Sequence, residues 1–361
     1  MKDLFYFGEK IYNTVKGYTR YRITWPDMAI GGVYMTFKCK NCGGYMVFSP
    51  ERQQMYCSFC DGVDCEQQTG DASLTTCASC GGELTIGQFV SASRCPYCGN
   101  YLIFDERVRD SFKPDEIIPF KLGKKQAVEA MEKEFKKRKF TPISFLSEKT
   151  LGVMVGRYVP FFLYDFRARG EYRGTGTKVR KWTEGNYDCK ETSYYDIERV
   201  MDVDYDNVPA DASEEMPDWK MDLVEPYQYE ALESFDPRYL SGFFGEVYNN
   251  TAEAYADRAR QKAEASANAL LKDSLAGYVS LNPLSGSVSL ADGQIDFALF
   301  PVWVYTYKWG GRDYLFYVNG QNGKVIGETP ISKRKVLLYA LTMGGIIYAI
   351  MLLIIFIMEV L

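Results

Sequence analysis

The chain has 361 residues, 47% of them hydrophobic and 15% aromatic, which is enough apolar content for two or three folded units. It contains no histidine, and this excludes a Ser-His-Asp triad, a Cys-His pair and an HExxH metalloprotease. A formal net charge of −5 argues against a protein built to neutralise phosphates.

The opening residues, MKDLFYFGEKIYNTVKGYTRYR, carry charges every few positions and hold no uninterrupted apolar stretch. They do not read as a secretory signal, so residues 1–35 are expected to form an amino-terminal arm in the cytoplasm.

Eight of the ten cysteines repeat with a constant offset of 38 residues: Cys39, Cys42, Cys57 and Cys60 map onto Cys77, Cys80, Cys95 and Cys98. The pairs Gly43, Gly44 and Gly81, Gly82 map at the same offset, so residues 36–104 read as a duplicated module. Each copy is CxxC, fourteen residues, CxxC, the spacing with which two thiolate knuckles enclose a tetrahedral zinc ion. A disulfide framework is the competing reading, and a reducing cytoplasm disfavours it. Four sulfurs leave no open coordination position, so two zinc ions of structural character are expected. The fourteen residues between knuckles allow two short strands and a turn. The piece from Asp61 to Thr76 is polar and reads as a linker between independent ribbons. Cys65 and Cys189 fall outside the repeat and read as ordinary cysteines. Four basic residues (Lys38, Lys40, Arg52, Arg94) face six acidic ones across the repeat, and eight thiolates on two zinc ions add negative charge. Protein docking therefore suits the ribbons better than nucleic acid.

Beyond the repeat, residues 105–330 read as an α+β domain. Ala127, Val128, Met131 and Phe135 give Lys124 to Phe140 a helical period, stopped at Thr141-Pro142. Leu151 to Arg173 is rich in Val, Tyr and Phe and reads as strand; Pro160, Phe162, Tyr164 and Phe166 align with Pro301, Trp303, Tyr305 and Tyr307 as two similar strands of one sheet. Between Glu184 and Asp236 lie 17 acidic residues against Lys190, Arg199 and Lys220, which reads as a loop-rich surface segment. Within it, Met201 to Asp211 reads as an edge strand with its acids outward, since a calcium loop counted from Asp202 has Asn207 and Ser213 where Gly and Glu are required. Thr251 to Ser274 reads as a second helix, and DYLFYVNGQNGKVIGETP as a closing hairpin.

Val336 to Met358 is uncharged, long enough to cross a bilayer, and preceded by Lys333, Arg334 and Lys335. Residues 331–361 are therefore expected to be a basic flank and a single transmembrane helix in the cell membrane, with the amino-terminal side cytoplasmic. The whole reads as small zinc-ribbon β modules in tandem, followed by an α+β domain and one carboxyl-terminal transmembrane helix. Neither GTGTKVRK nor NGQNGKVIG completes a phosphate-binding P-loop, so no nucleotide-driven enzyme is expected.

The segments CKNCGG, CPYCGN, IIPFKLGKKQAVEAMEKEFKKRKFTP, VGRYVPFFLYDF, YLSGFFGEVY and YLFYVNGQNGKVIGETPIS, with the order of parts around them, resemble a bacterial family of membrane-anchored tandem zinc-ribbon proteins. That family carries the labels general-transcription-factor-type zinc ribbon and replication-restart helicase-like. The resemblance implies partners of flotillin type or phage-shock type at stressed membranes. A noncatalytic membrane adaptor for cytosolic proteins is the leading expectation. The alternatives are a nucleic-acid-binding protein at the membrane and a carboxylate-dependent enzyme in the α+β domain.

Overall fold

A computed structural model describes residues 31–360 apart from 74–75, 78, 110–111, 143–144, 146–153 and 214. The expectation for residues 1–30 lies outside the described residues. Residues 31–35 belong to the first strand rather than to an arm.

The amino-terminal part contains β1 (Gly31–Cys39), β2 (Met46–Ser49), β3 (Gln54–Cys57), β4 (Cys65–Ser73), β5 (Val90–Arg94) and β6 (Tyr101–Phe104). Then come β7 (Glu116–Ile117), helix α1 (Lys124–Lys137), β8 (Val155–Glu184), β9 (Tyr187–Asp211) and helix α2 (Asp218–Val224). The chain continues through β10 (Glu233–Ser234), β11 (Phe244–Glu246), helix α3 (Ala256–Asp273), β12 (Ser280–Trp309), β13 (Arg312–Asn319), β14 (Val325–Gly327) and helix α4 (Lys333–Val360).

β2 and β3 form a small hairpin, and the other twelve strands form one sheet in the order β10-β7-β12-β8-β11-β5-β6-β1-β4, with β9 beside β8, β13 beside β12 and β14 beside β13. The pairing is mixed: β11 runs parallel to β8 and β7 parallel to β12, and the remaining ladders are antiparallel.

This connectivity corrects two expectations. The segment after the first CxxC pair is not a linker, because β4 pairs with β1 along its whole length, Cys39 opposite Cys65 and Gly31 opposite Ser73. The two repeats are not independent beads either, since β1 before the first repeat pairs with β6 after the second, and β5 pairs with β11 of the larger part. β1 can lie between two neighbours because both its faces are apolar: Tyr34 enters one cluster, and Met35 and Phe37 enter another.

The acidic stretch is also corrected. It is largely strand, because β9 runs against β8 for 25 residues. Arginines of β8 neutralise its outward acids: Arg167 meets Asp204 at 2.9 Å, and Arg173 meets Glu198 at 2.7 Å. The Met201 to Asp211 part is an edge strand as expected, with Asp202 and Asp204 exposed. Its end is buried, and Asp211 is wholly inaccessible.

The two similar strands are neighbours, Pro301 standing opposite Tyr158. Their alternation feeds two cores. Phe162, Tyr164, Phe166, Phe297, Trp303 and Tyr305 face one side, while Phe161, Leu163, Phe300 and Val304 face the other, with Phe161 stacked on Phe300 at 4.6 Å. α1 presents Ala127, Met131 and Phe135 to the first core. α3 presents Ala259, Ala263 and Ala267, a stripe of small residues four apart that lets it lie close along β8 and β9, and then Leu271.

Beyond Thr177, where Ser280 is its last partner on β12, the β8–β9 hairpin continues alone to Glu184 opposite Tyr187. At the rise of a strand, β8 spans about 90 Å. β14 runs in the same direction as β12, away from this tip, and its Gly327 accepts from Arg138 at 2.6 Å. α4 therefore begins at the end of the sheet remote from the hairpin tip. α4 is exposed from Val336 to Met358, has a mean hydropathy of 2.5, and is long and apolar enough to cross a membrane.

Candidate metal centres

Every CxxC folds the same way. In each, the amide four residues after the first cysteine donates to that cysteine's carbonyl: Gly43 to Cys39, Asp61 to Cys57, Gly81 to Cys77 and Gly99 to Cys95. The first cysteine's amide in turn donates to the carbonyl five residues on, at Gly44, Gly62, Gly82 and Asn100. The turn requires a left-handed residue, supplied by Gly43 (φ 73°), Gly81 (φ 70°), Gly99 (φ 75°) and, in one case, Asp61 (φ 57°). The second glycine of each first knuckle is needed for a different reason. A Cβ on Gly44 would stand 2.8 Å from the Phe59 ring, and one on Gly82 would strike Tyr97. Phe59 and Tyr97 occupy equivalent places in the two repeats.

Gly81→Ala is expected to impose about 1–2 kcal/mol of left-handed strain, so the second centre should lose metal to a competing chelator at roughly 5- to 30-fold lower chelator concentration. Asp61→Gly should shift the first centre in the opposite direction. Equal chelator sensitivity of wild type and Gly81→Ala would contradict the role given to the turn.

The four turns gather two thiol tetrads. Cys39, Cys42, Cys57 and Cys60 have mutual Sγ distances within 4.8 Å, and so do Cys77, Cys80, Cys95 and Cys98. Cys39 lies 3.5 Å from Cys60 and Cys42 3.5 Å from Cys57; in the second tetrad Cys77–Cys98 and Cys80–Cys95 are both 3.8 Å. Sulfurs held 2.3 Å from one tetrahedral ion stand about 3.8 Å apart, so the donor sets fit an M(Cys)4 centre. Each tetrad draws on a single repeat, as the spacing predicts. Two metal ions can be held, one per tetrad.

Backbone dipoles prepare the thiols. Burial pushes Cys95 up, but the amides of Cys98 and Tyr97 and the neighbouring thiols outweigh it and bring it down to about 7. Cys98 is pushed up to about 12 by burial and by the three other thiols of its tetrad. A metal ion that takes all four as thiolates must therefore displace protons on binding.

Cys65 and Cys189 join neither tetrad. Cys65 is half-buried beside the first core, and Cys189 stands opposite Trp182 near the hairpin tip.

Sequence reasoning missed two buried ionic clusters, because their members are far apart in the chain. Arg157 of β8 meets Glu246 of β11 at 2.7 Å and also pairs with Glu215, while Ser213 donates to Glu246 at 2.6 Å. Arg258 of α3 meets Asp211 at 2.6 Å, Asp222 at 2.9 Å and Asp218 at 3.0 Å, and Lys262 one turn on meets Asp222 and Glu225. Both buried carboxylates thus face an arginine. Burial pushes Asp211 up to about 6 against the pull of Arg258.

A protein with two cysteine tetrads in its amino-terminal strand region, a large mixed sheet and one long apolar carboxyl-terminal helix is the class that these observations define. Its sequence is 31% identical over 313 residues to the uncharacterized protein YdjG of Bacillus subtilis (strain 168), an alignment covering 84% of this chain and 92% of that one. The chain belongs to the family of that protein. No family model matches it, and no solved structure matches it.

Proposed function

We propose that the chain is a noncatalytic adaptor, anchored in the cell membrane by α4 with its body in the cytoplasm, that recruits cytosolic proteins to the bilayer. Two structural zinc ions hold its amino-terminal sheet together, one in each tetrad, because four thiolates close the coordination shell and leave no place for substrate. The partners are of the kind the family resemblance implies, flotillin-type or phage-shock-type assemblies.

The observation that carries this reading is the opposition of the anchor and the β8–β9 hairpin. The outer part of the β8–β9 hairpin, whose tip is about 90 Å of strand away from the start of α4, exposes Tyr187 to 78%, Tyr194 to 80% and Trp182 to 40%, with Arg180 over the Trp182 ring at 5.5 Å. Rigid, exposed aromatics beside a guanidinium are the side chains that dominate protein interfaces. Held at the far end of the sheet from a membrane helix, they are placed to meet proteins in the cytosol.

Full-length protein purified from detergent extracts should carry cytosolic proteins with it, and the triple change Trp182→Ala, Tyr187→Ala, Tyr194→Ala should reduce their yield at least about tenfold, the effect of losing one or two hot spots. Identical protein profiles from wild type and the triple variant would sink the β8–β9 hairpin as the docking surface. Recovery of nucleic acid with a steep salt dependence would replace this reading with the nucleic-acid alternative.

A further inference from the structure

α1 and α4 are nearly two hundred residues apart in the chain, yet the end of one is fastened to the start of the other. Ser332 N–H donates to the Phe140 carbonyl at 2.8 Å, and the Lys335 ammonium donates to the Thr141 carbonyl at 2.7 Å. Thr141 and Thr329 share a hydroxyl hydrogen bond at 2.9 Å, and the Phe140 ring meets Tyr339 edge-on at 5.5 Å. The fold thereby joins two short basic runs, Lys136 to Lys139 and Lys333 to Lys335, into one patch around the first turn of the apolar helix.

The charges of this patch are largely free. Glu134 takes up Lys137 at 2.9 Å and lies 3.8 Å from Arg138. Among the described residues Lys136, Lys139, Lys333 and Arg334 are exposed and make no ion pair. Between the two runs lies a groove of about 410 Å³, lined by Arg138, Lys139, Phe140 and the stretch from Gly327 to Ile331. Its wall combines cations with Phe140, Pro330 and the exposed Ile331, and Glu328 is the carboxylate among its lining residues. A groove of this size with cationic and apolar side chains in its lining suits a phosphate-bearing headgroup whose glycerol and acyl chains continue along a hydrophobic helix.

We propose that the end of α1 and the first turn of α4 form one binding surface for anionic phospholipid headgroups of the bilayer that α4 crosses. The inference rests on the anchor reading. It adds that a segment remote in sequence is recruited to the membrane surface, where phosphates of the host leaflet neutralise Lys136 and Lys139 together with the anchor's own basic residues. Headgroup binding there would also hold the body in a fixed attitude to the membrane, since α1 packs into the core through Met131 and Phe135.

The test uses full-length protein reconstituted into phosphatidylcholine bilayers doped with spin-labelled phosphatidylglycerol or spin-labelled phosphatidylcholine, and reads the fraction of each lipid immobilised by the protein. The expected result is a several-fold preference for phosphatidylglycerol that fades at high salt. The variant Lys136→Glu with Lys139→Glu leaves the anchor and its flank intact; it should enter the bilayer normally and keep less than half of the preference. Equal immobilisation of the two lipids by the wild type, or a variant indistinguishable from it, would overturn the proposal. Failure of the wild type to enter the bilayer at all would overturn the anchor reading itself, and this proposal with it.

Discussion

Replacing Cys57 and Cys60 with Ser is expected to lower the bound metal from about two ions per chain to about one, and to destabilise far more of the molecule than the first repeat. A structural zinc site of four thiolates contributes on the order of 10 kcal/mol to folding, which is comparable to the whole net stability of an ordinary domain. The first tetrad closes around Cys39, the last residue of β1, and β1 lies between β4 and β6 in the sheet. Loss of the first metal therefore frees the strand on which the second repeat leans. The second tetrad retains its own four donors, so it should still load, but it should surrender its metal to a chelator more readily than in the wild type. Elemental analysis gives the stoichiometry, and thermal unfolding followed by circular dichroism gives the extent. A variant with one metal and an unchanged unfolding profile would show that the repeats are uncoupled despite the shared sheet. Iron in place of zinc in the wild type would correct the metal assigned here.

The contrast between the tetrads and the sheet that joins them shows what a single sequence discloses. The two cysteine tetrads were legible because their grouping rests on local spacing: each CxxC closes one turn, and the 38-residue offset makes the assignment to repeats plain. The helices from Lys124 and from Ala256 and the β13–β14 hairpin were legible for a similar reason, since period and turn residues are local. β4 was not. It forms one end of the main run of strands, and its polar residues Glu66, Gln67 and Gln68 suit a solvated edge, which reads the same as a linker. β9 was hidden because its acids find their counter-charges on β8, and no count within one segment shows a partner strand. The alternation of Asp202, Asp204 and Asp206 with Val203 and Tyr205 carried the one usable signal. Pairings such as β1 with β6 and β5 with β11 join strands whose sequences contain nothing that names the partner.

Arg258→Ala is expected to cost about 3–5 kcal/mol near pH 8, the penalty for leaving a buried carboxylate without its counter-charge. Asp211 has no exposed surface, and one of its oxygens accepts from Arg258 at 2.6 Å while the other is buried without a partner. The guanidinium also gathers Asp218 and Asp222, so its removal loosens α3 from both β9 and α2. The cost should depend on pH in a definite sense. Asp211 already titrates near 6 in the folded protein, above its ordinary 3.8, because burial outweighs the attraction of Arg258; without the arginine it must rise further. A folded state that holds a proton more tightly than the unfolded state gains stability as pH falls and loses it as pH rises through the folded value. The variant should thus recover much of its deficit between pH 8 and pH 5, where protonation of Asp211 removes the unpaired charge. Adding Asp211→Asn to Arg258→Ala should restore part of the stability at pH 8 and flatten the pH dependence, because the buried group is then neutral throughout. Urea unfolding of the three variants at both pH values provides the comparison. A loss from Arg258→Ala that is the same at pH 5 and pH 8 would show that the arginine acts through the packing of its stem and not through the charge of Asp211.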